Sequence, residues 1–271
     1  MSAPNLAPPV GAATKPKQEI KEFGVTSGRQ VCHERIVIYG EGGVGKSTLA
    51  ATLEGAGISP LFLDLEGGTR KLTVDRIDMM NASWVDLVDQ ARADREHKAI
   101  VIDSFTKAVG LAEQYVLDTV PTSSGGKAKS LKSYGWGDGD AYHMEAVRAF
   151  LKALDRVSYK RHVVLLCHST AERVPNPAGA DYLQYQPMLP KSNKGDIRGL
   201  VRDWADHLLF LEASRDVDKD GKAGGTCTRQ IHATSLPHAW AKSRGMSGSY
   251  QVEENSSAYW KHFLKTIGGN A

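Results

Sequence analysis

Residues 37–50 read VIYGEGGVGKSTLA, and this stretch decides the fold. Gly40-x-x-x-x-Gly45-Lys46-Ser47 fits the P-loop pattern and lies between an apolar strand and a helix, as that motif requires. Glycines let backbone N–H groups approach phosphates closely. The helix that follows turns its N-terminus toward the anion. The cradle therefore comprises Gly40, Glu41, Gly42, Gly43, Val44, Gly45, Lys46, Ser47 and Thr48. Lys46 would reach the β- and γ-phosphates, and Ser47 would offer its hydroxyl to magnesium, so ATP and Mg2+ are the expected ligands.

Outward from the cradle, short apolar runs alternate with helical patterns. RIVIY (35–39) reads as a buried strand, and 45–57 as a helix ending at Gly55 or Gly57. PLFLDLE (60–66), KAIVIDSF (98–105), RHVVLLCHS (161–169) and DHLLFLEA (206–213) read as further strands. Ser83 is placed to cap a helix over 83–97, and two more helices are expected around 105–118 and 139–157. Continuous Val/Ile/Leu runs between helices predict an α/β fold with a mainly parallel central sheet covered on both faces. Residues 1–30, rich in Pro, Ala and Lys, read as a flexible leader before one domain over 31–271. The final segment, 256–271, reads as a packing helix or a recruitment site.

Composition narrows the class. The chain has 271 residues, 41% of them apolar, and a net charge of +3, which does not by itself announce nucleic acid. Three separated cysteines, Cys32, Cys167 and Cys227, argue against a disulfide scaffold, and without a Cys-x-x-Cys pair they argue against zinc. There is no signal-peptide layout and no run of about 18 apolar residues, so no membrane partner and a cytoplasmic location are expected.

A phosphate cradle needs a second metal anchor. Asp103, ending the apolar run AIVID, is placed for it; the alternative is a helix cap, which Ser104 could supply instead. Glu66 follows the second strand, where a carboxylate can orient or deprotonate the attacking water. His168 ends VVLLCHS, where it either senses the γ-phosphate or faces solvent as a cap. Lys242 and Arg244, two apart on an extended segment, share a face. They are either a solvated basic pair or cations that enter a neighbouring subunit's site, as an arginine finger does.

Two other P-loop classes fit less well. Asp64-Leu65-Glu66-Gly67 and Asn193-Lys194-Gly195-Asp196 imitate the D-x-x-G and N-K-x-D of GTPases. The first follows the cradle too closely to leave room for a switch loop, and the second lies in a turn-rich polar segment. A partition-type ATPase carries an extra lysine where this chain has Glu41, and a carboxylate cannot neutralise transition-state charge there.

Gly40–Ser47, Glu66, Asp103, His168 and Lys242/Arg244 together resemble the RecA/DnaB superfamily core over residues 31–250. The similarity is to the small phage-encoded RecA-like ATPases of single-strand annealing and recombination. The resemblance implies that Glu66 is the catalytic glutamate and that His168 takes the sensor position. It also implies that Lys242 and Arg244 match a Lys-x-Arg-x-Gly pattern, although Gly245 here follows Arg244 directly. It implies single-stranded DNA as partner, a homo-oligomer in ring or filament form, possible association with a single-strand-binding protein, and residence in a bacterial host cell.

Two segments are candidates for holding DNA. Residues 121–139 carry Lys127, Lys129 and Lys132, with Tyr134 and Trp136 among glycines. Lysines attract the backbone and aromatic faces stack bases. Residues 172–199, directly after the sensor strand, carry Arg173, Tyr182, Tyr185, Lys191, Lys194 and Arg198 and read as a long loop without structure of its own. Each segment is either a DNA-binding loop or an ordinary mobile surface. The sequence thus predicts a magnesium-dependent, single-stranded-DNA-binding ATPase of recombination or annealing. The rival is a nucleotide-gated regulatory or loading module without direct DNA binding, and a helicase is a third option.

Overall fold

The computed structural model describes residues 24–25, 27–28, 33–177, 179–217 and 223–268, without the side chains of 214–217 and 223–227. The leader expected over 1–30 lies outside the described residues apart from 24–25 and 27–28, as do Cys32 and the side chain of Cys227. The first elements of the described residues are β1 (Arg35–Gly40), α1 (Lys46–Ala51), β2 (Pro60–Asp64), β3 (Asp75–Asp78), α2 (Trp84–Arg92) and β4 (Ala99–Asp103). Then come α3 (Phe105–Thr119), α4 (Asp138–Val157), β5 (His162–Val174), β6 (Tyr182–Pro187), α5 (Ile197–Trp204) and β7 (His207–Val217). The last elements are β8 (Ala223–His232), β9 (Lys242–Ser243), β10 (Ser249–Val252) and α6 (Ala258–Ile267).

The sheet runs β10-β8-β7-β1-β5-β4-β2-β3. From β7 to β3 all neighbours are parallel; β8 is antiparallel to β7, and β10 to β8. The apolar runs of β1, β2, β4 and the first half of β5 are buried, as parallel strands covered on both faces must be. One face, with Val37, Tyr39 and Leu63, packs under α2, α3, α4 and α5. The other, with Ile36, Ile38 and Phe62, packs under α1 and α6. The expected mainly parallel α/β fold is the fold observed.

Local sequence explains the helix starts. Ser83 and Asp86 form a reciprocal capping box at α2, with Ser83 Oγ accepting from the Asp86 amide at 3.2 Å and Asp86 Oδ2 from the Ser83 amide at 2.8 Å. The helix after the cradle is shorter than the pattern suggested. The Leu49 carbonyl, which a continuing helix would give to Leu53, accepts from Trp260 Nε1 at 2.7 Å and from Thr52 Oγ1 at 2.8 Å. The chain therefore tightens into a 3-10 turn at Glu54–Ala56.

The larger correction concerns 172–199, which is not a structureless loop. β5 continues past the sheet and pairs antiparallel with β6, from Ser169 opposite Pro187 to Val174 opposite Tyr182. α5 follows, capped by Asp196, whose carboxylate accepts from the Gly199 amide at 2.8 Å. The Asp of the N-K-x-D imitation is thus a helix cap.

At the foot of the sheet, His162 Nδ1 accepts from the Glu34 amide at 3.0 Å. Burial, and then the neighbouring His33, pushes its pKa down from 6.5 to about 4. The unfolded chain therefore binds a proton that the folded chain refuses. Stability is full above the unfolded value of 6.5 and falls as the pH drops toward about 4. Over that window the loss is on the order of 3 kcal/mol. Urea midpoints measured across it should fall with acid in the native chain and fall less in His162→Gln.

Candidate nucleotide site

The C-terminal ends of four neighbouring strands form one row. Gly40 is the register partner of His168, Leu166 of Asp103, and Asp103 of Asp64. A β-carbon at Gly40 would stand 2.1 Å from the Leu211 carbonyl oxygen on β7, so only glycine lets β1 run this close to its neighbour where the cradle begins.

Lys46 is buried, and its Nζ donates to the carbonyls of Gly40 at 2.9 Å and Glu41 at 2.8 Å. Burial lowers its pKa, against the attraction of Asp103. Ser47 Oγ donates to Asp103 Oδ2 at 2.5 Å, so both expected metal anchors meet. Burial raises the Asp103 pKa, and the nearby carboxylates of Asp64 and Glu66 push the same way. A divalent cation would relieve that crowding. One hydroxyl and one carboxylate are the kind of protein oxygens Mg2+ takes when phosphates and water complete its shell, so the residues fit the ion. The cap of α3 is Ser104, accepting from the Lys107 amide at 3.2 Å, which leaves Asp103 for Ser47.

Glu66 and His168, 102 residues apart, are brought together: His168 Nε2 lies 3.3 Å from both Glu66 carboxylate oxygens. Ser104 Oγ donates to Glu66 Oε1 at 2.5 Å. The sequence reading missed what holds Glu66 in place. The buried Asp64 carboxylate accepts from the amides of Glu66, Gly67, Gly68 and Thr69 and from the Thr69 hydroxyl, at 2.5–3.2 Å. Burial alone would raise its pKa, but the Thr69 hydroxyl and the amides outweigh it and hold the group low. The D-x-x-G spacing was the available signal, and its Asp builds this turn. Thr106 was missed too; its hydroxyl accepts from the His168 amide at 3.0 Å.

Other candidates stand elsewhere. Lys242 is the register partner of Leu208 at the start of β7, beside the start of β1. Leu208 is level with Val37, so about three residues of strand, roughly 10 Å, separate that level from Gly40. Lys242 Nζ donates to the Asp203 carbonyl at 3.4 Å, and Arg244 pairs with Asp206 at 3.2 Å. Both lie toward the N-terminal ends of β1 and β7, away from the strand ends that carry the cradle.

The DNA candidates divide. Tyr134 donates its hydroxyl to the Val116 and Val120 carbonyls at 3.0 and 2.8 Å and closes the end of α3, so it is not a free base platform. Tyr185 stacks on Phe210 with ring centroids 5.3 Å apart. Arg198 is buried, paired with Glu172 at 2.6 Å, and donates to Gln186 and Leu189. Lys194 pairs with Asp138 at 2.9 Å. Lys127, Lys129, Lys132, Arg173 and Lys191 are exposed, and so is Tyr182. Trp136 is 94% exposed with φ at +49°, an uncommon backbone for a bulky residue. Among the described residues no helix is long and apolar enough to cross a membrane.

The strand order, the cradle and the carboxylates beside it define a RecA-like P-loop NTPase. The family described as AAA domain matches residues 33–245, and the chain belongs to that family. The crystal structure of the flagellar accessory protein FlaH from Methanocaldococcus jannaschii is 14% identical over 74% of this chain and 78% of that one, with a TM-score of 0.37. The crystal structure of the RadB recombinase is 11% identical over 83% of this chain and 90% of that one, with a TM-score of 0.43. A comparison with curated proteins returns no match.

Proposed function

We propose that the chain is a magnesium-dependent ATPase that binds single-stranded DNA and acts in phage recombination or annealing. The observation that carries hydrolysis is the convergence of Ser47 at the start of α1 with Asp103, Glu66 and His168 at the strand ends. ATP would lie along the cradle with Lys46 at its terminal phosphates. Mg2+, held by Ser47 and Asp103, supplies charge neutralisation for the phosphates when bound. Glu66 orients a water in line with the γ-phosphate and takes up its proton. His168 reads the phosphate against Glu66. Lys242 and Arg244 cannot serve their own cradle from the N-terminal ends of β1 and β7; in a head-to-tail oligomer they would face the next copy's.

DNA binding is supported by the exposed Lys127, Lys129, Lys132 and Trp136 on one segment. The Trp136→Ala variant should lose about 1–3 kcal/mol of affinity for an oligothymidylate. Replacing the three lysines should flatten the salt dependence, by about 0.7 in log–log slope for each phosphate that is no longer neutralised. Fluorescence anisotropy across a salt series measures both. A second reading, the switch or loading module, is favoured by one observation: Tyr134, Tyr185, Lys194 and Arg198 are engaged internally. ATP turnover with and without single-stranded DNA separates the two. Stimulation supports the DNA-dependent ATPase; slow, unresponsive turnover without DNA binding supports the module.

A further inference from the structure

β8 is a strand of the sheet, separated from β1 by β7, and Arg229 sits on it level with Ala213 of β7 and Val252 of β10. Its guanidinium lies against the P-loop. A β-carbon at Gly45 would stand 3.2 Å from Arg229 Cζ and 3.3 Å from Nε and Nη1. Gly45 also has φ at +99°, a conformation that disfavours any side chain there. Arg229 is held from behind by Glu254, just past β10, with Nη2 3.7 Å from the carboxylate. That spacing is long for a bidentate pair, and the Arg229 side chain keeps 26% of its surface open.

We infer that Arg229 is a second cation of the nucleotide site, binding the phosphate chain of the nucleotide from the β8 side while Lys46 acts from within the cradle. The inference rests on the nucleotide reading proposed above. Three observations carry it. The guanidinium is packed on a glycine whose backbone belongs to the cradle. It belongs to the same chain as that cradle, unlike any cation delivered by a neighbour. Its planar fork, with donors remaining beyond its loose acid partner, suits phosphate oxygens. Lys242 and Arg244, the cations the sequence singles out, stand toward the N-terminal ends of β1 and β7. Arg229 therefore adds a cation to the site from within the same chain.

The test is equilibrium binding of N-methylanthraniloyl-ATP and the corresponding ADP to the full chain, with Lys46→Ala as reference. Arg229→Gln should weaken both nucleotides by about ten- to a hundredfold, with an unchanged melting temperature, and Arg229→Lys should recover part of the loss. Unchanged affinity in Arg229→Gln, with Lys46→Ala impaired, would overturn the inference and leave the cradle intact. A native chain that binds neither nucleotide would sink the cradle reading itself. If Arg229→Gln melts early, Glu254→Gln decides: freeing the guanidinium should hold or tighten ATP binding, and a weakening of tenfold or more would count against Arg229.

Discussion

Replacing Glu66 by Gln should reduce ATP turnover by about 10²–10⁴-fold while leaving ATP affinity nearly unchanged. Gln keeps the shape and an oxygen for the Ser104 hydroxyl that Glu66 now accepts at 2.5 Å. It removes the negative charge that would draw a proton from the attacking water. His168, 3.3 Å from that carboxylate, would lose a charged partner but not its place, because its amide is fixed by Thr106. Turnover by phosphate release and affinity by nucleotide fluorescence separate the two effects, since an interaction made only in the transition state lowers turnover alone. Full turnover in Glu66→Gln would remove Glu66 from catalysis. A loss of affinity of similar size would make it a binding residue.

The second large effect is expected far from the phosphates. Trp260 is fully buried, packs on Tyr259 and Phe263, and donates to the Leu49 carbonyl in α1 at 2.7 Å. Trp260→Ala should cost about 3–5 kcal/mol. In a domain of this size that is a fall of roughly 10 °C in melting temperature. Trp260→Phe retains most of the volume and loses the indole donor, so its cost should be nearer 1 kcal/mol. Thermal unfolding followed by circular dichroism measures both. Equal melting of Trp260→Ala and the native chain would mean that α6 does not hold the phosphate helix.

The parallel strands were legible because burial on both faces leaves unbroken apolar runs, and RIVIY, AIVID and VVLLC need no alternation to be seen. Ser47 was legible from the P-loop pattern at the start of α1, and Asp103, Glu66 and His168 because each is a polar residue where an apolar strand run ends. The β5–β6 hairpin was not legible, and the reason is physical: it buries Gln184 and Gln186 and exposes Leu183, so its alternation runs opposite to the expected one. β3 (Asp75–Asp78) is a polar edge strand whose one apolar residue, Ile77, is too little to mark it as a strand. The role of Asp64 rests on four backbone amides, which no spacing of side chains reveals. Arg229 acts through its packing on Gly45 across 184 residues of chain, and only the sheet order brings them together.

The continuity of β5 has a mechanical consequence. Beyond His168 the strand runs six more residues, roughly 20 Å, and its flank is riveted by Arg198 to Glu172, Gln186 and Leu189. So braced, the hairpin would move as one body about its root. A rotation of about 5° at His168 would carry the far end through about 2 Å. A small turn of the strand beside the phosphate site would thus be read at the hairpin tip as a shift of about 2 Å.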